Sequence, residues 1–297
     1  MPVLSAGIMA LSTFSGSTAE KDLDSLNKAT LSLLAKVPTL AAFAYKNSMG
    51  QPTLYPDNSL GYVENFIRMS FGFPTEPYEF NEAITQGLEV LLILHADHEQ
   101  NCSTSTVRMV ASSGANLHAA VAAGVNALSG PKHGGANQAV VEMLQFIRDN
   151  DLTTKQFVEK VKNREDGVKL MGFGHRIYRN YDPRAAIIKK HADEILKLQT
   201  GRKDLLEIAK ELEETALNDD YFKERKLYPN VDFYSGLIYE AMGFPLNMFT
   251  VLFAIGRLPG WIAQYREQVT GSEKIWRPRQ IYTGCDVRDW IPFEQRS

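Results

Sequence analysis

Two histidines and one aspartate in this sequence lie among glycines, aromatic residues or small residues, each just before a helix-like stretch. His133 stands in Gly-Pro-Lys-His-Gly-Gly-Ala-Asn, His175 in Met-Gly-Phe-Gly-His-Arg, and Asp232 in Asn-Val-Asp-Phe-Tyr-Ser-Gly. A carboxylate and two imidazoles suit acid–base chemistry at a carbon next to a carbonyl. One group can remove a proton while the others stabilise the negative charge that develops. This chemistry needs neither a metal nor a nucleophilic serine.

These residues also have structural interpretations. His133 is compatible with a cap in a tight turn, and Asp232 with the N-cap of the apolar helix that follows it. The two roles of Asp232 do not exclude each other, because apolar neighbours raise the pKa of a carboxyl group and make it a better base. A helix N-terminus close to His133 disfavours its protonated form, and a neutral imidazole can stabilise an enolate.

Two arginines indicate that an anion binds. Arg184 is expected in the first turn of a helix, where a cation opposes the helix dipole, so it either pairs with Asp182 or binds a ligand. Arg257 is expected to close an apolar helix, and no acidic residue lies within five positions of it. Because an unpaired charge in apolar surroundings is costly, its partner is predicted to be distant in sequence or a ligand.

A pair of histidines, His95 and His98, is predicted at a helix end together with Asp97 and Glu99. The spacing does not match the HExxH zinc motif, since position 102 is a cysteine. A histidine that donates to a substrate carboxylate or to a buried neighbour explains this segment better than a metal site does.

Helical periodicity dominates the chain, and strand signals are confined to short pieces near residues 53–55 and 281–282. We therefore predict an all-α fold. Breaks near Gly134 and residues 243–245 predict a large domain over residues 1–136, a small domain over 137–243 and a returning segment of the large domain over 244–297. The predicted helices cover residues 29–46 with a break at Pro38, and 81–94, 117–128, 137–148, 183–198, 204–217, 233–242 and 246–255.

Composition describes an ordinary globular protein. The 297 residues are 44% hydrophobic and 23% charged, with a net charge of −3, so nothing in the charge indicates a nucleic acid or membrane partner. Two cysteines, Cys102 and Cys285, are too few for a disulfide framework and favour a reducing, cytoplasmic location. No apolar run is expected to reach the roughly 18 residues of a membrane span.

Seven segments, taken together and in order, resemble the citrate synthases, and specifically the bacterial, actinobacterial-type enzymes. They include the three motifs above, the histidine segment and the segments around Arg184, Arg257 and Arg277. They cover residues 95–108, 130–137, 170–176, 180–184, 228–236, 256–261 and 277–284.

The resemblance implies two-domain, almost entirely helical subunits with the active site in the cleft between the domains. They would form a homodimer or a hexamer built as a trimer of dimers. The implied reaction condenses acetyl-CoA with oxaloacetate and water to citrate and CoA, the entry step of the tricarboxylic acid cycle. Acetyl-CoA would be a substrate, and no cofactor or metal would be permanently bound.

The resemblance also assigns roles by position. Asp232 would be the base, His133 the donor that stabilises the enol, and His175 the group that polarises the oxaloacetate carbonyl. Oxaloacetate would be held by His98, Arg184, Arg257 and, in the neighbouring subunit's site, Arg277. CoA would lie along Met171, Gly172, Gly174, Lys226 and Asn230.

One departure from the family pattern is the N-terminus. The chain opens inside the large domain, so the resemblance implies either an N-terminally shortened member or a sequence numbered from an internal methionine. Two alternatives remain open at this stage. A 2-methylcitrate synthase using propionyl-CoA would have the same catalytic set, and a truncated, non-catalytic ligand-binding relative would keep the site, although it would not need all three of His133, His175 and Asp232.

Overall fold

The protein is almost entirely helical. The computed structural model describes residues 1–14, 22–175, 177–178, 180–196, 203–271 and 274–296. Arg176 of the His175 motif and the end of the helix predicted over 183–198 lie outside these residues. The helices are α1 (Pro2–Leu11), α2 (Leu23–Ser48), α3 (Tyr62–Phe71), α4 (Glu82–His95), α5 (Cys102–Ala111), α6 (Leu117–Leu128), α7 (Ala136–Asp149), α8 (Thr154–Asn163), α9 (Pro183–Leu196), α10 (Lys203–Asn218), α11 (Asp220–Glu224), α12 (Val231–Ala241) and α13 (Phe249–Gly271).

The predicted all-α fold is confirmed. Short 3-10 turns occur at Ser12–Phe14, Glu165–Gly167, Leu246–Met248 and Phe293–Gln295. Within the described ranges, β pairing is limited to one antiparallel bridge between Phe173 and Pro229. The pieces near residues 53–55 and 281–282 are extended but unpaired, because β-branched and aromatic residues over three positions do not by themselves supply a partner strand.

Asparagine side chains begin three of the helices that lead to the site. Asn81 accepts a hydrogen bond from the backbone N–H of Ile84 at the start of α4. Asn101 and Asn116 do the same for α5 and α6, and α6 spans the predicted residues 117–128. Each cap satisfies one of the free N–H groups of a first helical turn and so fixes where the helix begins.

Two predicted helix ends are wrong. Helix α2 continues through Pro38, and α13 continues past Arg257 and Pro259 to Gly271. A proline removes one backbone donor, but burial on both sides of it holds each helix together. Val37 and Ala41 are fully buried in α2, as Leu258 and Trp261 are in α13.

The helices pack in two groups. Helices α1, α2, α3, α4, α5, α6 and α13 contact one another in the first group, and α7, α8, α9, α10 and α12 in the second. Helix α4 packs on α9, and α13 touches α7, so the two groups meet along one boundary. The division into domains at residues 136 and 243 stays a prediction, although the helix that returns at α13 joins the first group.

One stretch within the described ranges, Leu246–Gly271, is long and apolar enough to cross a membrane by length and composition. Arg257 interrupts the apolar run in the sequence but does not end the helix. The stretch is therefore longer than the apolar run expected from the sequence. Of its most apolar window, 72% is buried inside the fold. This stretch is therefore packed as a core helix.

Candidate active site

A cleft of about 680 Å³ lies where the two helix groups meet. It is lined by segments that are far apart in sequence: the α4–α5 loop, the α6–α7 turn, the loop before α9, and parts of α12 and α13. Six residues predicted to act on or bind substrate line it together: His98, His133, His175, Arg184, Asp232 and Arg257. Another cavity of about 580 Å³, lined mostly by apolar residues around α3, α4 and α13, contains none of them.

His133 lies in the turn between α6 and α7, and its tautomer is fixed by α5. The backbone N–H of Ser103 donates to His133 Nε2 at 3.2 Å. Since a backbone N–H can only donate, Nε2 carries no proton and the neutral ring is protonated at Nδ1. Burial, and next the charge of Arg257, hold the pKa of His133 below its ordinary value. The ring is therefore a neutral N–H donor at neutral pH.

Ser103 is a site residue that the sequence reasoning missed. Its hydroxyl lies 2.9 Å from His133 Nε2 and accepts a hydrogen bond from the Trp261 indole at 3.2 Å. The available signal was Asn101, a good N-cap residue. A helix that begins at Cys102 leaves first-turn N–H groups free to donate to an outside acceptor.

His175 is fixed in the opposite tautomer. Its Nδ1 accepts hydrogen bonds from the backbone N–H of Ile177 at 3.0 Å and of Tyr178 at 3.3 Å. The neutral ring must then carry its proton on Nε2. Burial, and next the neighbouring His98, lower the pKa of His175. It too is a neutral donor.

His98 and His95 differ in their surroundings. The ring of His98 lies 4.9 Å from that of His175, centroid to centroid, and its Nε2 is buried without a hydrogen-bond partner in the described part of the chain. Such an atom in a cleft is available to a ligand. His95 is fully buried, donates from Nδ1 to the carbonyl of Leu91, and has its pKa lowered by burial to about 3. It does not line the cleft and serves the packing of α4.

Asp232 lies in the first turn of α12, but it is not the N-cap. That role belongs to Asn230, whose side chain accepts from the N–H of Asp232 at 2.9 Å. The N-cap interpretation of Asp232 is therefore wrong, because the helix begins two residues earlier than its apolar pattern indicates. Burial raises the pKa of Asp232 to about 6, against the opposing pull of Arg184. A carboxylate of this kind is a stronger base than an exposed one.

Arg184 pairs with Asp182, as one of its two sequence interpretations predicted, and ligand binding stays a prediction. It lies in the first turn of α9 and lines the cleft. It also pairs with Asp182 through two contacts, from Nε to Oδ1 at 3.1 Å and from Nη2 to Oδ2 at 2.9 Å. The guanidinium keeps further N–H donors for a ligand carboxylate.

Arg257 is almost completely buried, with 2% of its surface exposed. Its Nε donates to the carbonyl of His95, and within the described residues no carboxylate lies at ion-pair distance. Burial lowers its pKa to about 10, so it stays charged at neutral pH. A buried charge at the lining of a cleft, bonded only to a backbone carbonyl in the described residues, is available to a ligand anion, and that ligand stays a prediction.

Close backbone approach holds the His98 loop against α13. A Cβ at Gly260 would lie on the carbonyl oxygen of Ala96, and one at Gly256 would meet His95 Cβ at 3.0 Å. Only glycine leaves room for the α4–α5 loop at these two positions. The loop that carries His98 is thereby held against α13, the helix that also carries Arg257.

The residues predicted to contact CoA form a separate group beside the cleft. Gly172 and Gly174 have φ of +76° and +78°, and their strand-like segment pairs with residues 228–230. The N–H of Asn230 donates to the carbonyl of Gly172, and its side chain donates to that of Gly174. Met171 and Lys226 flank this pairing. None of the five lines the cleft itself.

Arg277 is not brought to the cleft of its own chain. It is exposed on the segment 274–296, which is extended apart from the turn Phe293–Gln295. Trp276 anchors the start of this segment, because its backbone N–H donates to the hydroxyl of Ser112 and its ring lies 5.6 Å from the guanidinium of Arg108.

The comparisons with known proteins agree with one another. A family model described as "Citrate synthase, C-terminal domain" matches residues 1–279. Among curated proteins, citrate synthase 1 of Mycobacterium tuberculosis is 62% identical over 298 residues, which is 100% of this chain and 69% of that protein. Citrate synthase of Corynebacterium glutamicum is 60% identical over 301 residues, covering 100% of this chain and 68% of that protein.

Solved structures show the same relation. Citrate synthase from Pyrobaculum aerophilum has a TM-score of 0.83 and 36% identity, over 99% of this chain and 73% of that chain. Citrate synthase from Thermoplasma acidophilum, in a ternary complex with carboxymethyl coenzyme A and oxaloacetate, has a TM-score of 0.89 and 30% identity, over 99% of this chain and 75% of that chain. No group of three or more histidine, cysteine, aspartate or glutamate side chains in the described ranges is placed to hold a metal ion.

Proposed function

The chain belongs to the citrate synthase family, and we propose that Asp232, His133 and His175 together catalyse the condensation of acetyl-CoA with oxaloacetate in this cleft. The chain is accordingly an acyltransferase that converts the acetyl group into an alkyl group on transfer. The observation that carries the assignment of residues is the cleft, which places a base of raised pKa and two neutral imidazole donors on the same cavity.

The first step removes a proton from the methyl group of acetyl-CoA. The carboxylate of Asp232 takes this proton, and its raised pKa reduces the mismatch with a weakly acidic methyl group. A carboxylate alone is a poor base for this task. Stabilisation of the thioester oxygen must therefore supply much of the driving force.

His133 supplies that stabilisation. Its Nδ1–H donates to the thioester oxygen as negative charge develops there, while Ser103 holds Nε2 and prevents the ring from turning over. Because the pKa of His133 is lowered, the donor is neutral and does not protonate Asp232 beforehand. One donor of this kind contributes about 3 kcal/mol to the stabilisation of a transition state.

The second step forms the carbon–carbon bond. The enolate carbon attacks the keto carbon of oxaloacetate, whose oxygen accepts a hydrogen bond from Nε2–H of His175. This oxygen takes up one proton to become the hydroxyl group of citryl-CoA, and Asp232 releases the proton that it took from the methyl group, so the carboxylate is restored. Arg184, Arg257 and His98 hold the two carboxylates of oxaloacetate, since guanidinium groups bind carboxylates in forks. Water then cleaves the thioester to release citrate and CoA.

Thiol release from acetyl-CoA tests this function. We expect the purified protein to release free CoA thiol only when oxaloacetate is present, and to use acetyl-CoA faster than propionyl-CoA. One methylene changes the binding free energy by only about 1–3 kcal/mol, so propionyl-CoA is expected to react slowly rather than not at all. Thiol release that ignores oxaloacetate, or a clear preference for propionyl-CoA, contradicts the proposal.

The finer assignments belong to the same proposal. CoA would follow the paired segments at residues 171–174 and 226–230, where the positive φ of both glycines opens the backbone to a ligand. The active protein would be a homodimer, or a hexamer of three dimers, in the cytoplasm. It would have no nucleic acid or membrane partner and no permanently bound cofactor.

The segment 274–296 supports assembly with a second copy. It carries large apolar side chains that are exposed in the single chain, including Ile281 at 90% and Trp290 at 76%. Trp276 holds the start of the segment against Ser112 and Arg108, and residues 277–291 beyond it are exposed in the single chain, which supports a contact with a neighbour. We propose that Arg277 completes the oxaloacetate site of that neighbour.

Mixed dimers test this shared site. Arg277→Ala and Asp232→Asn are each expected to be inactive alone, because each removes one component from every site. After subunit exchange, one site of a mixed dimer pairs an intact Asp232 with an intact Arg277 from across the interface, and activity partly returns. If subunits demonstrably exchange and no activity returns, Arg277 does not act across the interface.

A further inference from the structure

Asp182 has no role in the reaction described so far, yet it is one of the most connected carboxylates of the site. It is 1% exposed and lies in the loop before α9. Its two oxygens accept hydrogen bonds from the side chain and backbone of one residue, Arg184, and from the backbone of another, Val231.

The distribution of these bonds over the two oxygens is informative. Oδ1 accepts from the backbone N–H of Arg184 at 3.0 Å and from its Nε at 3.1 Å. Oδ2 accepts from Nη2 of the same arginine at 2.9 Å and from the backbone N–H of Val231 at 3.1 Å. Val231 is the first residue of α12 and directly precedes Asp232. One carboxylate oxygen therefore joins the substrate-binding guanidinium to the helix that carries the base.

We propose that Asp182 is a positioning residue that couples the oxaloacetate-binding Arg184 to the N-terminus of the helix bearing Asp232. The bidentate contact fixes the plane of the guanidinium, so that its remaining donors face the cleft in a defined direction. The bond to Val231 holds the first turn of α12 in register with that guanidinium. This inference rests on the proposed function, because it needs Arg184 to bind a substrate carboxylate.

A second buried carboxylate nearby provides a matched comparison. Glu213 on α10 is 3% exposed as a whole residue and accepts hydrogen bonds from Tyr181 at 2.9 Å and Tyr234 at 2.6 Å. It thus ties the same loop to the same helix as Asp182 does. Its third partner is Lys189 on α9, and within the described residues none of its hydrogen bonds or ion pairs involves Arg184. It therefore shares the structural role of Asp182 without the proposed coupling.

The first experiment replaces Asp182 by asparagine. Asparagine keeps one acceptor oxygen and has an amide NH2 group in place of the other. It can therefore no longer accept hydrogen bonds from the donors at both Oδ1 and Oδ2. We expect oxaloacetate to bind about tenfold more weakly by calorimetry and its KM to rise by a similar factor. The fall in kcat at saturating oxaloacetate should be smaller, and the KM for acetyl-CoA unchanged. If Asp182→Asn does not fold at 25 °C, Asp182→Glu, which keeps the charge but displaces it by one methylene, is measured instead with the same expectation.

A double-mutant cycle separates coupling from general destabilisation. In an Arg184→Lys background the fork to Asp182 no longer exists, so adding Asp182→Asn should weaken oxaloacetate binding by less than about twofold. Glu213→Gln should lower the melting temperature while leaving oxaloacetate affinity as in the unmodified protein. An equal loss from Asp182→Asn in both backgrounds, or an equal loss from Glu213→Gln, overturns the proposal.

The same measurements distinguish this inference from the proposed function. If the unmodified protein binds no oxaloacetate, the proposed function fails. If it binds oxaloacetate and Asp182→Asn binds it equally well, only the role of Asp182 fails.

Discussion

Replacing Asp232 by asparagine is expected to reduce turnover by about a thousandfold while oxaloacetate still binds. The amide keeps the shape of the side chain and lacks the basic oxygen that takes the methyl proton. Within the cleft lining, Glu99 is the other carboxylate, and it is exposed on the α4–α5 loop, so no buried acid replaces Asp232. Thiol release measures turnover, and calorimetry with oxaloacetate measures binding.

A matched control is Asp220→Asn. Asp220 lies in the first turn of α11, as Asp232 does in α12, but its side chain is 89% exposed and does not line the cleft. It should retain full activity. Near-normal turnover in Asp232→Asn would rule out Asp232 as the base.

The pH dependence follows from the same carboxyl group. Because only the ionised form accepts a proton, activity should fall as the pH drops through about 6, the raised pKa of Asp232. Stability has the opposite sign. The folded protein holds this proton more tightly than the unfolded chain does, so the stabilisation is present below about pH 4 and lost as the pH rises through about 6. Asp232→Asn should therefore melt at least as high as the unmodified protein at pH 7.

The fold was predictable because its strongest signals are local. Apolar periodicity identified the existence of most helices, as over residues 81–94 and 117–128. Helix ends that depend on packing were not predictable. Pro38 and Arg257 interrupt their helices in sequence, but buried neighbours on both sides carry each helix through.

The composition of the cleft was also predictable in part. Six residues chosen from motifs meet there. The three histidines lie on loops between helices, Arg184 and Asp232 lie in first helical turns, and Arg257 lies within α13. Hydrogen bonds between residues that are far apart in the chain could not be predicted from the sequence. Ser103 holds His133 from 30 positions away, and Asp182 reaches Val231 across 49. Such bonds depend on which helices pack together, which no local pattern specifies.

The two imidazoles of the site should fail in different ways when replaced. His133→Ala is expected to lower kcat by about 100-fold or more, since one donor to a developing oxyanion is lost. Oxaloacetate binding should change little, because His133 acts on the thioester oxygen. His175→Ala should also lower kcat, and it should disturb bound oxaloacetate directly, since Nε2–H points its proton to the ketone oxygen in the proposed complex.

Infrared spectra of bound oxaloacetate distinguish these two failures. A hydrogen bond to the ketone oxygen polarises the carbonyl and shifts its stretching band. That shift should disappear in His175→Ala and largely remain in His133→Ala, because in the proposed complex Nε2–H of His175 donates to the ketone oxygen and Nδ1–H of His133 donates to the thioester oxygen. Ser103→Ala is a milder change at the same histidine. It removes the hydroxyl next to His133 but keeps the backbone N–H that fixes the tautomer of His133. Identical spectra in the two histidine variants would mean that the roles of His133 and His175 have been assigned wrongly.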